Sequence, residues 1–106
     1  MISPPVNEWL SVVSYRDFYD VPRLLLVCDN ASNYWIFDSK FDESADEYPS
    51  EYLVFFAGRA ADKASREFEE CAKSSLDLVM RDCERLPVQD VKFDATRKKE
   101  LMIVRA

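Results

Sequence analysis

The alternation of apolar and polar side chains predicts β-strands over the first half of the chain. Residues 9–18 alternate with a period of two, which places on one face Trp9, Ser11, Val13 and Tyr15. A continuous apolar run at residues 23–28 predicts a strand covered on both faces, and the runs at residues 34–38 and 52–57 predict two more strands. The five residues between the first two runs read DNASN, a turn-forming segment that predicts a hairpin.

The apolar spacing changes to steps of three and four residues after residue 60. This period predicts one long amphipathic helix over residues 60–86, ended by Pro87. Its apolar face consists of Ala64, Phe68, Ala72, Leu76, Val79 and Cys83. Residues 88–93 predict a further strand, and the apolar residues 101–104 fit either a last strand or the last turn of a short helix.

Together these elements predict a single α+β domain over residues 1–106. We expect an antiparallel sheet of about four or five strands with one long helix packed on one face. One helix cannot cover both faces of so apolar a sheet. We therefore expect the uncovered face to be buried in a homo-oligomer.

The composition excludes several kinds of chemistry. The chain has no histidine, which excludes histidine-based triads and histidine-ligated zinc, and its single glycine excludes glycine-rich phosphate loops. We therefore expect a protein that is not an enzyme and that needs no cofactor. Three cysteines without a CxxC motif predict reduced thiols, and no signal peptide or membrane-spanning run is evident, so we expect a cytoplasmic protein.

The net charge of −6 is concentrated in one segment. Six acidic residues and one lysine lie between Asp38 and Glu51, so this segment holds five of the excess negative charges. Such a segment repels nucleic acid and attracts a basic protein, a cation or the basic end of a second copy. Basic residues gather near the other end of the chain, at Lys92, Arg97, Lys98, Lys99 and Arg105.

The acidic segment does not fit a calcium-binding loop. An EF-hand that began at Asp38 would need glycine at its sixth position and glutamate at its twelfth, but Glu43 and Pro49 stand there. We therefore expect no metal site. Asp42, Asp46 and Glu47 are our candidates for a surface that binds a partner, while a solvated acidic loop is the simpler interpretation.

A second group of candidate binding residues lies around the first connection between strands. Tyr15, Asp17 and Arg23 flank it, with Asp20 beside them. An arginine among carboxylates most often ties a loop down through hydrogen bonds, and the alternative is a site for an anionic ligand. Twelve of the fourteen aromatic residues lie in the first 56 positions, so an aromatic-lined cleft for a small molecule is a further alternative.

Three blocks of sequence resemble a known family. They are SYRDFYDVPR at residues 14–23, FDESADEYPSEY at residues 41–52 and FDATR at residues 93–97. In order and spacing they are similar to a family of small, acidic, uncharacterised bacterial proteins, some of which travel as mobile gene cassettes or lie beside toxin genes. The resemblance implies a bacterial cytoplasmic protein and transfers no catalytic residue. An immunity- or antitoxin-like binding protein, whose acidic loop contacts a basic protein, is then our leading hypothesis.

Overall fold

A computed structural model describes residues 3–73, 83–94, 96 and 99–105 of the chain. In this part of the chain, seven antiparallel strands form one sheet that curls into a half-barrel, with the spatial order β5-β4-β3-β2-β1-β7-β6. The strands are β1 (Trp9–Tyr19), β2 (Val21–Cys28), β3 (Tyr34–Asp38), β4 (Glu51–Gly58), β5 (Glu84–Pro87), β6 (Val91–Phe93) and β7 (Glu100–Ile103). The expectation of a four- or five-stranded sheet with one long helix was wrong.

The helix is much shorter than the apolar period predicts. Helix α1 spans Ala61–Lys73, and residues 74–82, which the sequence assigned to its second half, lie outside the described residues. Residues 84–86, predicted as the last helical turn, instead form β5 together with Pro87, at the edge of the sheet beside β4. The reason is tertiary packing, because Leu86 pairs with Tyr52 across this edge and is fully buried there.

The two faces of the sheet are buried in different ways. The outer face is covered by α1, whose Ala64, Phe68 and Cys71 pack against side chains of β2, β3 and β4. The inner face is covered by the sheet itself, because the curl brings β6 and β7 within one core with β2–β5. This inner core consists of Leu10, Leu25, Val27, Trp35, Phe37, Tyr52, Val54, Leu86, Val91, Leu101 and Ile103.

This curl changes the basis of the oligomer prediction. That prediction started from a sheet face with no helix to cover it, and the inner face has an intramolecular cover instead. Homo-oligomerisation stays a prediction, but the interface would have to form on a surface other than the inner face of the sheet.

A β-bulge in β1 changes which residues share a face. The β1–β2 register shifts between Val12 and Ser14, so the extra residue, Val13, is 48% exposed. The shift places Tyr15 on the inner face with Val12, where both pack against the inner core. Simple alternation therefore assigned Tyr15 to the wrong face.

The hairpin between β2 and β3 is confirmed, and Asp29 organises its five-residue loop. Its carboxylate accepts hydrogen bonds from the backbone N–H groups of Ala31 and Asn33, each with a donor–acceptor distance of 2.9 Å. It also accepts the Asn33 amide at 3.1 Å and the Trp35 indole N–H at 3.4 Å. Partial burial by itself raises the pKa of Asp29, but these hydrogen bonds outweigh it and hold the pKa below its ordinary value.

Candidate functional site

The acidic segment folds into an ordered, exposed turn between β3 and β4. We call residues 41–48 the acidic hairpin. The Asp42 N–H donates a hydrogen bond to the Glu47 carbonyl at 2.8 Å, and the Glu47 N–H donates one to the Asp42 carbonyl at 3.2 Å. The Asp42 carboxylate also accepts the backbone N–H groups of Ser44 and Ala45, at 3.0 and 3.3 Å. Backbone and side-chain hydrogen bonds together fix the turn.

Arg23 anchors the base of the acidic hairpin to the sheet. It is buried and donates hydrogen bonds to the Ser39 hydroxyl and the Pro49 carbonyl, both at a distance of 3.1 Å. Its guanidinium lies over the Tyr48 ring at 4.7 Å from the centroid, and Tyr48 in turn makes an edge contact with Phe41 at 5.1 Å. These contacts hold both ends of the hairpin in place. They match the interpretation of Arg23 as a residue that ties a loop down.

A buried ion pair attaches the start of the acidic segment to the helix. Lys40 Nζ donates a hydrogen bond to the Asp38 carboxylate at 2.9 Å. It donates another, at 2.6 Å, to the carbonyl of Cys71 near the end of α1. The two side chains are only 14% and 6% exposed. The charge of Asp38 is therefore balanced inside the protein, and the negative charge that faces solvent comes from residues 42–47.

The exposed carboxylates of the acidic hairpin belong to Asp42, Glu43, Asp46 and Glu47. Asp46 has a φ of 55°, in the left-handed region that Asp adopts more readily than most residues. The structure thus brings three predicted site residues together, since Asp42, Asp46 and Glu47 all lie on this one turn. Four acidic groups on one short turn produce a concentrated negative potential.

Tyr52 lies in the interior, near the hairpin's base. Its hydroxyl donates a hydrogen bond to the Pro22 carbonyl at 2.7 Å, and the residue is 1% exposed. Burial raises the pKa of Tyr52 far above its ordinary value, while the positive charge of Arg23 acts in the opposite direction. The buried Arg23 therefore lies close to two tyrosine side chains, Tyr48 and Tyr52.

Tyr15 and Asp17 do not share a pocket with the acidic hairpin. Tyr15 makes edge contacts with Phe18 at 6.4 Å and with Phe93 at 5.9 Å, so it belongs to an aromatic group at the other side of the sheet. Asp17 is exposed and has a φ of 56°. Of the three residues predicted around the first connection, only Arg23 reaches the hairpin. Arg97, the arginine of the FDATR block, lies outside the described residues.

A shallow groove of about 480 Å³ lies at the β1 bulge, lined by Val12, Val13, Ser14, Tyr15, Arg16 and Lys99. It is open to solvent and has one aromatic residue in its lining. The buried aromatic residues of the described part of the chain fill the protein interior instead, and they are Trp35, Phe37, Tyr52, Phe55 and Phe68. Trp35 packs against Phe56 at 5.2 Å and Phe37 against Tyr52 at 5.6 Å, on the concave face where the ligand-cleft hypothesis would need space.

Sequence reasoning missed the aromatic pair that flanks the acidic hairpin. Phe41 and Tyr48 lie directly outside the Asp42–Glu47 bridge, and Phe41 is 42% exposed. The signal was present, because two aromatic residues bracket the acids at equal distance from the centre of the turn. Aromatic side chains are enriched at protein-binding surfaces, so this exposed ring is a candidate contact residue.

Comparison with protein-family models, with curated proteins and with solved structures finds no match for this chain. The family resemblance of the three sequence blocks stays a prediction. Within the described ranges, none of the helices is long and apolar enough to cross a membrane. The same residues contain no group of three or more Cys, Asp or Glu side chains placed to hold a metal ion.

Proposed function

We propose that this protein is a non-enzymatic binding module of the bacterial cytoplasm whose acidic hairpin binds a basic protein partner. In the leading form of this hypothesis the role is immunity- or antitoxin-like, in which the hairpin covers a basic surface of the partner. The observation that supports it most is the construction of the hairpin. Its carboxylates project from a turn that is already fixed by its own hydrogen bonds and by Arg23.

A fixed turn favours binding because little conformational entropy remains to be lost. Immobilising a flexible side chain or loop at an interface costs about 0.5–1.5 kcal/mol for each rotamer-rich side chain. The backbone of residues 42–47 is ordered before any partner arrives, so this cost falls mainly on the exposed carboxylates. The exposed ring of Phe41 adds apolar area at the base of the hairpin, and aromatic residues are enriched at protein interfaces.

The charge of the hairpin acts mainly on the rate of association. Complementary charges steer two proteins together and raise the association rate well above that of uncharged surfaces at low salt. The Debye length shortens from about 30 Å at 0.01 M to about 8 Å at 0.15 M ionic strength. Binding through the hairpin should therefore weaken strongly over this range of salt.

The test compares two variants with the same change of net charge. Glu43→Lys with Glu47→Lys reverses two hairpin side chains and leaves the Asp42 turn intact. Asp62→Lys with Glu70→Lys reverses two exposed acids on α1 and serves as the matched control. Each protein, and the wild type, is immobilised and exposed to the basic protein fraction of the cells that make it, at about 0.01 and 0.15 M salt.

We expect a basic protein that binds the wild type and the helix control in a salt-dependent manner and does not bind the hairpin variant. Purified partner and bait should then give the same ranking when their affinity is measured by calorimetry. If all three baits retain the same proteins equally, the acidic hairpin is a solvated loop and the proposal is wrong.

A further inference from the structure

Helix α1 covers only part of the outer face of the sheet in the described structure. The outer core under α1 contains side chains of β2, β3 and β4, and none of the described residues of β1, β6 or β7 belongs to it. On those three strands burial alternates, because every second residue belongs to the inner core. The residues between them face outward, and we call five of these the Trp9 patch: Trp9, Ser11, Lys92, Glu100 and Met102.

The strand registers fix the positions of these residues on the face. Lys92 pairs with Met102 and Met102 pairs with Trp9, so these three form one row across β6, β7 and β1. Glu100 pairs with Ser11 in the next outward row of β7 and β1. Neighbouring strands lie about 4.8 Å apart and two residues span about 6.8 Å along a strand, so Lys92 and Glu100 are diagonal neighbours roughly 8 Å apart.

The Trp9 patch combines an apolar centre with one charge of each sign. Trp9 is 39% exposed, Met102 is partly exposed, and Val104, which directly follows β7, is 45% exposed. Lys92 Nζ lies over the Trp9 ring, 5.9 Å from its centroid. Within the described ranges, neither Lys92 nor Glu100 forms an ion pair. One cation and one anion are therefore available to a partner beside an exposed indole ring.

One lysine and one glutamate make this patch complementary to a second copy of itself. When two identical faces pack about a two-fold axis that lies between them, each position on one face meets the position reflected across that axis on the other. An axis that runs diagonally across the patch, midway between Lys92 and Glu100, sets each Lys92 opposite Glu100 of the second copy. The same axis passes within about 2 Å of the Met102 and Trp9 positions, so these residues meet their own counterparts.

We propose that the Trp9 patch is the interface of a symmetric homodimer. Lys92 of each copy pairs with Glu100 of the other, and Trp9 and Met102 are shielded from water at the centre. Apolar centres with complementary charges around them are the pattern expected for two surfaces that bind each other. The two-fold contact is closed, so association stops at the dimer.

This proposal goes beyond the proposed function, because the acidic hairpin takes no part in the dimer. Asp38, which precedes the hairpin, pairs with Leu24, and Leu24 pairs with Arg16 on β1. Trp9 lies roughly 20 Å from Arg16 along the same strand. Both hairpins of the dimer therefore stay free to bind a foreign partner.

The size and charge of the molecule set the conditions of the test. A standard interface has about 20–30 residues on each side, more than these three strand segments supply, so we expect a weak and reversible dimer. Each copy also has a net charge of −6, and the resulting repulsion is screened at 0.15 M ionic strength, where the Debye length is about 8 Å. We expect dissociation constants of about 0.1–1 mM at this salt concentration.

Charge exchange tests the pairing directly. Lys92→Glu leaves two acids on the patch, and Glu100→Lys leaves two cations. By symmetry each single change replaces two ion pairs by two like-charge contacts, so it should weaken the dimer at least about ten-fold. The double variant, Lys92→Glu with Glu100→Lys, restores both pairs. Lys63→Glu and Glu70→Lys make the same changes of net charge on the exposed surface of α1 and are the matched controls.

Each protein is first shown by circular dichroism to keep the wild-type fold, and its mass is then measured by sedimentation equilibrium up to about 1 mM. The wild type, both controls and the double variant should dimerise alike, whereas each single patch variant and Trp9→Ala should be monomeric. An equimolar mixture of the two single patch variants should form a heterodimer, because one patch is acidic and the other basic. Wild-type tryptophan emission should shift to the blue with concentration through Trp9, since Trp35 is already 1% exposed.

A wild type that is monomeric at about 1 mM would overturn the proposal. So would a dimer that persists in both single patch variants or in Trp9→Ala, because the interface would then lie elsewhere. Failure of the mixture and of the double variant to associate would refute the pairing of Lys92 with Glu100. The hairpin variant, Glu43→Lys with Glu47→Lys, should dimerise like the wild type, and loss of its dimer would equally contradict the proposal.

Discussion

Replacing Tyr52 by phenylalanine removes one buried hydroxyl and tests the packing at the base of the acidic hairpin. The hydroxyl donates a hydrogen bond to the Pro22 carbonyl at 2.7 Å, and the residue is shielded from water. Loss of a typical hydrogen bond costs about 0.5–1.5 kcal/mol, and the cost rises to about 1–3 kcal/mol when the partner remains buried without a replacement. We expect Tyr52→Phe to lose about 1–3 kcal/mol of unfolding free energy at neutral pH. For a domain of this size that lowers the Tm by about 4–8 °C per kcal/mol.

The pH dependence of this loss has a defined sign. Burial raises the pKa of Tyr52 in the folded state above its ordinary value of 10.0, so the folded protein favours the neutral phenol. This stabilising contribution is fully present below pH 10 and is lost as the pH rises, because the unfolded chain ionises first. The advantage of the wild type over Tyr52→Phe should shrink by up to about 1.4 kcal/mol per pH unit above 10.

Urea unfolding of both proteins, from neutral pH to about pH 12, measures this difference directly. Phe68→Leu is a suitable control, because it loosens the packing in the core under α1, away from Tyr52, and adds no titratable group. Its stability deficit should not vary with pH. If the deficit of Tyr52→Phe is also constant across this range, the Tyr52 phenol is not buried as described and the reasoning fails.

Three further changes test separate parts of the structure. Phe68→Ala should cost about 3–5 kcal/mol in chemical denaturation, because the ring is fully buried under α1, and a loss below about 1 kcal/mol would show that the helix face is assigned wrongly. Asp29→Asn should cost about 1–2 kcal/mol at neutral pH. The pKa of Asp29 is lowered, so its contribution is present above the ordinary value of 3.8 and is lost as the pH falls through the lower folded value; denaturation at acid pH should show the two proteins converging. Asp42→Ala should weaken the turn by about 1 kcal/mol while Glu43→Ala leaves stability within about 0.5 kcal/mol, and equal effects in the melts would contradict a capping role for Asp42.

The strands of the first half could be predicted because their signals are local. Residues 34–38 are an apolar run bounded by turn residues, and β3 spans the same five positions. The hairpin before it was predicted because Asp29 and its neighbours have side chains that hydrogen-bond their own backbone. These features depend only on nearby residues, so the sequence displays them without knowledge of the fold.

The edge strands could not be predicted because they depend on distant partners. The segment Glu84–Pro87 has helical spacing with what precedes it and becomes a strand only because β4 offers an edge to pair with. The bulge at Val13 is likewise invisible in the alternation of β1, and its effect on Tyr15 follows from pairing with β2. Closure of the sheet over its own inner face is a property of seven strands together.

The candidate site was predicted in part for the same reason. The exposed acids of the hairpin form a local cluster of charge, and Asp42, Asp46 and Glu47 were identified from it. From the sequence alone, however, Asp42 is one acid among six, whereas the fold makes it the cap of the turn. Arg23 was placed beside Asp17 by proximity in sequence, yet its described hydrogen bonds are to Ser39 and Pro49, more than fifteen residues away.

The pairing of β1 with β7 has a consequence for how the protein is made. β1 is synthesised well before one of its neighbours in the sheet, β7 (Glu100–Ile103). Until then Leu10 lacks Leu101 as its partner, and the inner core is open on that side. The nascent chain can form the β1–β4 meander early, since those pairings join consecutive strands, while the half-barrel closes only after translation has passed residue 103.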